Sequence, residues 1–126
     1  MTLDILLQTE PIVLKTEAPP EAGAVVRFEG RVRGNEQGRG IRALVYEAYQ
    51  PMAERQIEKI LHELGAEHPC LLVRVRHRVG QVRVGEIAVV IEAFSTHRAE
   101  AFALASAFMD RLKRDVPIWK MKAVDT

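Results

Sequence analysis

The chain has 126 residues, 48% apolar and 28% charged, which suits one domain with one sizeable core. Eighteen basic residues against seventeen acidic ones leave a net charge of +1, excluding a bulk electrostatic case for nucleic acid or an anionic membrane, so any anion site must be local. The N-terminus, Met1 to Gln8, carries Asp4 inside a short apolar run with no basic region before it. It reads as neither a signal peptide nor a spanning helix, and a cytoplasmic protein is expected. Cys70 is alone, which removes an internal disulfide or a cysteine zinc site, and its neighbours Leu71, Leu72 and Val73 favour a packed thiol over a nucleophile. No metal-ligand spacing is visible, and no cofactor is expected.

Leu3 to Leu14 is rich in Leu, Ile and Val with Pro11 in its middle, which predicts two short strands or an edge strand with a break. Within Gly23–Arg33 the chain alternates from Val26, with Val26, Phe28 and Val32 on one face and Arg27, Glu29, Arg31 and Arg33 on the other, a strand signature. Gly30 inside it marks a bulge or a close backbone approach that re-aims the following arginines. Gly34 to Gly40 holds three glycines in seven residues and predicts a mobile hairpin connection, not a phosphate loop, because a strand over Ile41–Tyr49 follows it. Its stem, Arg31 and Arg33, is an anion-site candidate.

Ala53, Ile57, Ile60, Leu61 and Leu64 recur at helical spacing, with Pro51 at the first turn and Gly65 placed as a C-cap, so a helix from Gln50 to about Gly65 should cover a sheet. Lys59 and Glu63 are spaced as a surface pair, and His62 should be solvated. Cys70 to Val79 alternates Leu71, Val73, Val75, His77 and Val79 against Leu72, Arg74, Arg76 and Arg78, predicting a half-buried strand with a solvated arginine ladder. A nucleic-acid backbone is the alternative ligand for that ladder, but no aromatic residues interleave to stack bases. His77 reads as a core or interface histidine. Gln81–Val84 is a short strand between Gly80 and Gly85, and Ile87–Phe94 a central strand.

At Ser95-Thr96-His97-Arg98 the pattern turns helical, with Ser95 or Thr96 as N-cap and Phe102, Ala105, Met109 and Leu112 as the apolar stripe. His97 and Arg98 carry the wrong sign for a helix N-terminus, where backbone N–H groups favour anions, so the pair reads as a phosphate or carboxylate clamp. At the other end Pro117 stops the helix, placing Lys113 on its last turn and Lys120 on the following strand. By charge and spacing alone, two readings stand: cations offsetting the helix dipole, or two lysines gathered around an anion for acid/base or nucleophilic work, a Schiff base included.

Four segments in order, Gly23–Arg33, Tyr46-Glu47-Ala48-Tyr49, Ser95–Phe102 and Leu112–Lys120, resemble the catalytic large-subunit family of molybdopterin synthase, over nearly all the chain from Gly23 onward. The resemblance implies an α+β single domain over residues 1–126, an α/β hammerhead with antiparallel strands and two main helices. It implies a sulfur-transfer enzyme that converts cyclic pyranopterin monophosphate into dithiolene-bearing molybdopterin. The implied sulfur donor is a thiocarboxylate on the C-terminal Gly-Gly tail of a small ubiquitin-like carrier subunit, and the implied assembly is a homodimer within a heterotetramer. By position, Lys113 matches the lysine that meets and polarises the tail, Lys120 the general acid or base, and Arg33, His97 and Arg98 the phosphate-binding residues. Two departures stand out. Lys120-Met121-Lys122 puts a second cation where the family has an acidic residue, and the chain stops at Thr126 where relatives often run on. The rival from another class is a non-catalytic binding module or regulatory subunit using the basic strand face.

Overall fold

The computed structural model describes residues 1–15 and 17–126. The elements run β1 (Thr2–Gln8), β2 (Ala24–Arg31), β3 (Asn35–Glu36), β4 (Arg39–Ala48), α1 (Met52–Glu67), β5 (Leu72–Arg78), β6 (Gly80–Arg83), β7 (Ile87–Ser95), α2 (Arg98–Asp115) and β8 (Ile118–Asp125). Four strands form one sheet in the order β1-β5-β7-β2, in which the β1–β5 pair is parallel and the β5–β7 and β7–β2 pairs antiparallel. In the second sheet β4 pairs with β3, β6 and β8, all antiparallel. Two helices and two mostly antiparallel sheets make the α+β architecture that the resemblance implied.

The period-2 and helical patterns meet in one core. Val73 and Val75 of β5 and Ile91 and Ala93 of β7 point to the face covered by Ile57, Ile60 and Leu61 of α1 and Leu104 and Phe108 of α2, all fully buried. Each such Val, Ile, Leu or Phe side chain contributes about 1.5–3 kcal/mol through removal from water. A smaller core of Val32, Ile41, Leu44, Val82 and Ala88 binds the second sheet to the first. Ile87–Ser95 is central, as its apolar run required.

Several expectations change. Leu3–Leu14 yields one edge strand, β1, and the chain leaves the sheet before Pro11. The Gly34–Gly40 connection is a tight hairpin in which Asn35 and Glu36 pair with Gly40 and Arg39. Its turn residues Gln37 and Gly38 have φ of 53° and 80°, the left-handed pair that a two-residue hairpin uses. Gly65 lies inside α1, with the tip of Met1 packed where its Cβ would be, and the helix closes at His68, whose N–H donates to the Leu64 carbonyl at 2.8 Å. Glu63 bonds Arg111 of α2 at 2.7 Å instead of serving Lys59, while His62 is exposed as expected. Phe102 is 58% exposed; the buried stripe of α2 runs through Ala101, Leu104, Ala105, Phe108 and Leu112.

The largest correction concerns the arginine ladder. Asp4, Arg74, Glu92 and Arg27 lie in one row across all four strands of the first sheet, with alternating charge. Arg74 donates to Asp4 at 3.2 Å and to Glu92 at 3.0 Å; Arg27 donates to Glu92 at 3.0 Å; Arg76 grips Asp4 at 2.9 Å. The Glu92 side chain is 1% exposed and that of Arg74 12%. The face is a hydrogen-bonded ion network and not a solvated ladder, so its cations are taken up within the chain. That removes the strand face on which the binding-module reading rested.

Candidate active site

Lys113 and Lys120 do come together. Val116, extended at φ −95° and ψ 131°, ends α2, and β8 begins at Ile118 just after Pro117, the break that proline imposes. The last turn of α2 and the first half of β8 thereby line one cleft of about 290 Å³, with Arg31, Tyr46, His77 and Met109 among its other walls. Lys113 is exposed and has no ion pair among the described residues. Lys120 lies 3.6 Å from Glu36 of the β3–β4 hairpin. An acidic partner for Lys120 therefore exists, supplied from a different strand and not from the residues that follow it.

A bulge in β8 resolves the Lys120-Met121-Lys122 departure. Lys120 pairs with Tyr46 but Lys122 pairs with Val45, leaving Met121 as the extra residue. Neighbours on β4 face opposite sides, so the bulge sends Lys120 to the cleft and Lys122 to the other face. The second cation lines a separate depression with Val45 and Met121 and leaves the charge of the cleft unchanged.

Gly30 shapes the opposite wall. The β2–β7 register breaks after it: Gly30 faces Val89, Arg31 faces Ile87, and Ala88 is unpaired. A Cβ on Gly30 would stand 2.7 Å from Cγ1 of Val89, so both the bulge and the close approach expected at this glycine are present. Arg31 then reaches the cleft, its Nη1 donating to the Gly85 carbonyl at 2.7 Å and its Nη2 to Glu29 at 2.8 Å.

Tyr46 and His77 complete the floor, their rings edge to face at 5.3 Å. Burial, with the Glu36 carboxylate adding to it, pushes the Tyr46 phenol up. Burial pulls the His77 imidazole down, against the opposing hydrogen bond to the Arg78 carbonyl. Sequence reasoning missed both residues as site members. Tyr46 stands in the Tyr-Glu-Ala-Tyr segment, which was a signal; His77 was indistinguishable from a core residue, and Glu36 had no signal.

The other candidates lie elsewhere in the single chain. Arg33 is exposed beyond the end of β2 and does not line the cleft. His97 occupies the N-cap position of α2 with no side-chain cap, and Ser95 is the last residue of β7, its hydroxyl donating to the His97 carbonyl. With Arg98 at the first turn and Lys113 on the last, the two ends of the cation set are separated by about 22 Å of helix. Cys70, buried and with its thiol pushed up by burial and by Glu100, sits beside His97, away from the lysines. Among the described residues no cluster of His, Cys, Asp or Glu is placed to hold a metal ion, and no helix is long and apolar enough to cross a membrane.

A cleft lined by lysines, an arginine, a phenol and an imidazole, with no carboxylate among the described residues of its lining, defines an α+β protein equipped to hold an anion and move protons beside it. Residues 7–115 match the family model described as MoaE protein, and the chain belongs to that family. It is 45% identical over 101 residues to the molybdopterin synthase catalytic subunit of Thermoplasma volcanium, covering 80% of this chain and 74% of that one. The crystal structure of molybdopterin synthase from Staphylococcus aureus superposes with a TM-score of 0.86 at 36% identity, covering 95% and 90% of the two chains. A complex of subunits 1 and 2 of the molybdopterin-converting factor from Helicobacter pylori contains the same fold, with a TM-score of 0.70, 20% identity, and 98% and 89% coverage.

Proposed function

We propose that this chain transfers sulfur from the C-terminal thiocarboxylate of a small ubiquitin-like carrier subunit to cyclic pyranopterin monophosphate, forming the dithiolene of molybdopterin. The observation that carries this reading is the convergence of Lys113 and Lys120 on one cleft free of lining carboxylates, in a chain whose relatives are molybdopterin synthase catalytic subunits. Lys113, with no ion pair among the described residues, holds and polarises the thiocarboxylate. Lys120, beside Tyr46 and Glu36, acts as general acid or base at the pterin side chain. At each of two neighbouring side-chain carbons a carbon–sulfur bond forms as a carbon–oxygen bond breaks, the oxygen leaving protonated or with the phosphate. Water then cleaves the bond between that sulfur and the carrier's carbonyl carbon, restoring the carrier's carboxylate, so that two carriers supply one dithiolene.

Arg33, His97 and Arg98 bind the phosphate in this reading. Because about 22 Å of helix separates Arg98 from Lys113, His97 and Arg98 serve the cleft of a second copy, which fits a homodimer within a heterotetramer carrying one carrier at each end. The buried, inert Cys70 has no part, since sulfur arrives with the carrier; a reduced lone thiol also agrees with a cytoplasmic setting. The test is reconstitution with thiocarboxylated carrier and cyclic pyranopterin monophosphate, following dithiolene product. Wild type should form product, and Lys120→Ala should lose about a hundredfold or more in rate. Equal turnover by the variant would sink the assignment.

A further inference from the structure

The cleft contains an imidazole that the lysine chemistry leaves unused. His77 is 6% exposed and lines the cleft beside Tyr46, with Lys113 and Lys120 among the other walls. Its Nδ1 stands 2.7 Å from the Arg78 carbonyl oxygen. A carbonyl can only accept, so Nδ1 carries the proton and the neutral ring offers a lone pair at Nε2. Nε2 makes no hydrogen bond within the described residues and is not sealed from solvent, so it opens on the cleft. The edge-on contact with Tyr46 at 5.3 Å and the Arg78 bond together lock the ring.

The other polar side chains in the lining differ in kind. Arg31, and Lys113 and Lys120 as ammonium groups, only donate, and Tyr46 donates or accepts through one hydroxyl. Donors suit the phosphate and the thiocarboxylate. A pyranopterin also carries N–H and O–H groups of its own, and those need an acceptor when water is displaced.

We propose that His77 Nε2 accepts a hydrogen bond from an N–H or O–H group of the pyranopterin, making His77 a substrate-binding residue that orients the ring against Lys120. This rests on the substrate reading given above and adds a specificity element to it. A site built around a buried acceptor discriminates strongly against a ligand that lacks the matching donor. Protonation of the ring would turn the acceptor into a donor and abolish the contact.

The test uses the complex with a carrier ending in an ordinary carboxylate, which binds but delivers no sulfur. Affinity for cyclic pyranopterin monophosphate and affinity for the carrier are measured separately for wild type, His77→Phe and His77→Gln. Phenylalanine keeps the ring volume without an acceptor; glutamine returns an acceptor oxygen. We expect His77→Phe to weaken pterin binding by about tenfold or more, the loss that follows removal of one buried hydrogen-bond partner. Carrier affinity should stay within about twofold, and His77→Gln should recover most of the pterin affinity. Unchanged pterin binding in His77→Phe would overturn the inference alone. So would a glutamine variant no better than the phenylalanine one, or parallel losses for pterin and carrier. Failure of the wild type to bind the pterin would overturn the functional reading as well.

Discussion

Two groups of cations in this molecule look alike on paper and differ in what faces them. On the outer side of the first sheet, Arg27, Arg74 and Arg76 each meet a carboxylate, Glu92 or Asp4, at 2.9–3.2 Å. In the cleft, Lys113 has no carboxylate partner among the described residues, and Lys120 has only the longer contact to Glu36 at 3.6 Å. Cations neutralised in place hold strands together; cations left with free donors beside a cavity hold something else. Burial sharpens the difference, since charges removed from water need partners within the fold while exposed ones do not. The lesson is that a basic residue becomes a candidate for function through the absence of a partner as much as through its own charge.

That distinction is broken most severely by removing one member of each group. Lys113→Ala should cut sulfur transfer by about a hundredfold or more while changing the free energy of unfolding by less than about 0.5 kcal/mol. Glu92→Ala should do the reverse. It strands Arg74 and Arg27 beside an empty place, a loss of about 3–5 kcal/mol in urea titration, with activity per folded molecule retained. If Lys113→Ala unfolds the protein, or Glu92→Ala leaves its stability intact, the division between structural and functional cations fails.

Gly30→Ala acts where the two regions join, since β2 carries both Arg27 of the network and Arg31 of the cleft. The new methyl would lie 2.7 Å from Val89 Cγ1, so either the stiff Val89 side chain turns or β7 shifts. Overpacking of this kind costs about 1–3 kcal/mol, and the cleft wall moves with it. A melting temperature equal to wild type would show that Val89 rotates away freely and that the glycine is not required by packing.

How much of this was legible in the sequence depended on the range of the interaction. The helices, the central strand Ile87–Ser95 and the proline break before Lys120 follow from local periodicity and backbone chemistry, and they appear where expected. The juxtaposition of Lys113 and Lys120 was legible for the same reason, being nearly local. The ion row was not: alternation puts Arg74 and Arg76 on one face of β5, but only the pairing of β5 with β1 and β7 brings Asp4 and Glu92 opposite. Glu36 meets Lys120 through the partnership of β4 with both β3 and β8, and no short-range pattern announces it. His77 shows the same limit from the other side, since an apolar face names a buried residue without saying whether its far edge meets a cavity.

The smallest effect separates the two regions by pH. The bonds from Arg76, ahead of the opposing cost of burial and the bond from Arg74, hold the Asp4 carboxyl below its ordinary value of 3.8. A depressed carboxylate adds stability that is present above the unfolded value and is lost as the pH falls through the folded one. His77 belongs to the cleft, and burial holds its imidazole below the ordinary 6.5. The unfolded chain therefore takes up that proton first, and stability begins to fall as the pH drops below about 6.5, levelling off once the folded ring is protonated too. Unfolding free energy measured from pH 8 to pH 3 should show two separate declines, one starting near the histidine value and one near the carboxylate value. His77→Gln should flatten the upper decline and leave the lower, whereas Asp4→Asn should shrink the lower, to which the Asp115 carboxyl depressed by Arg114 also contributes, and leave the upper. A single decline, or one removed by both substitutions, would mean that the network and the cleft titrate as one unit and that their separation is not energetic.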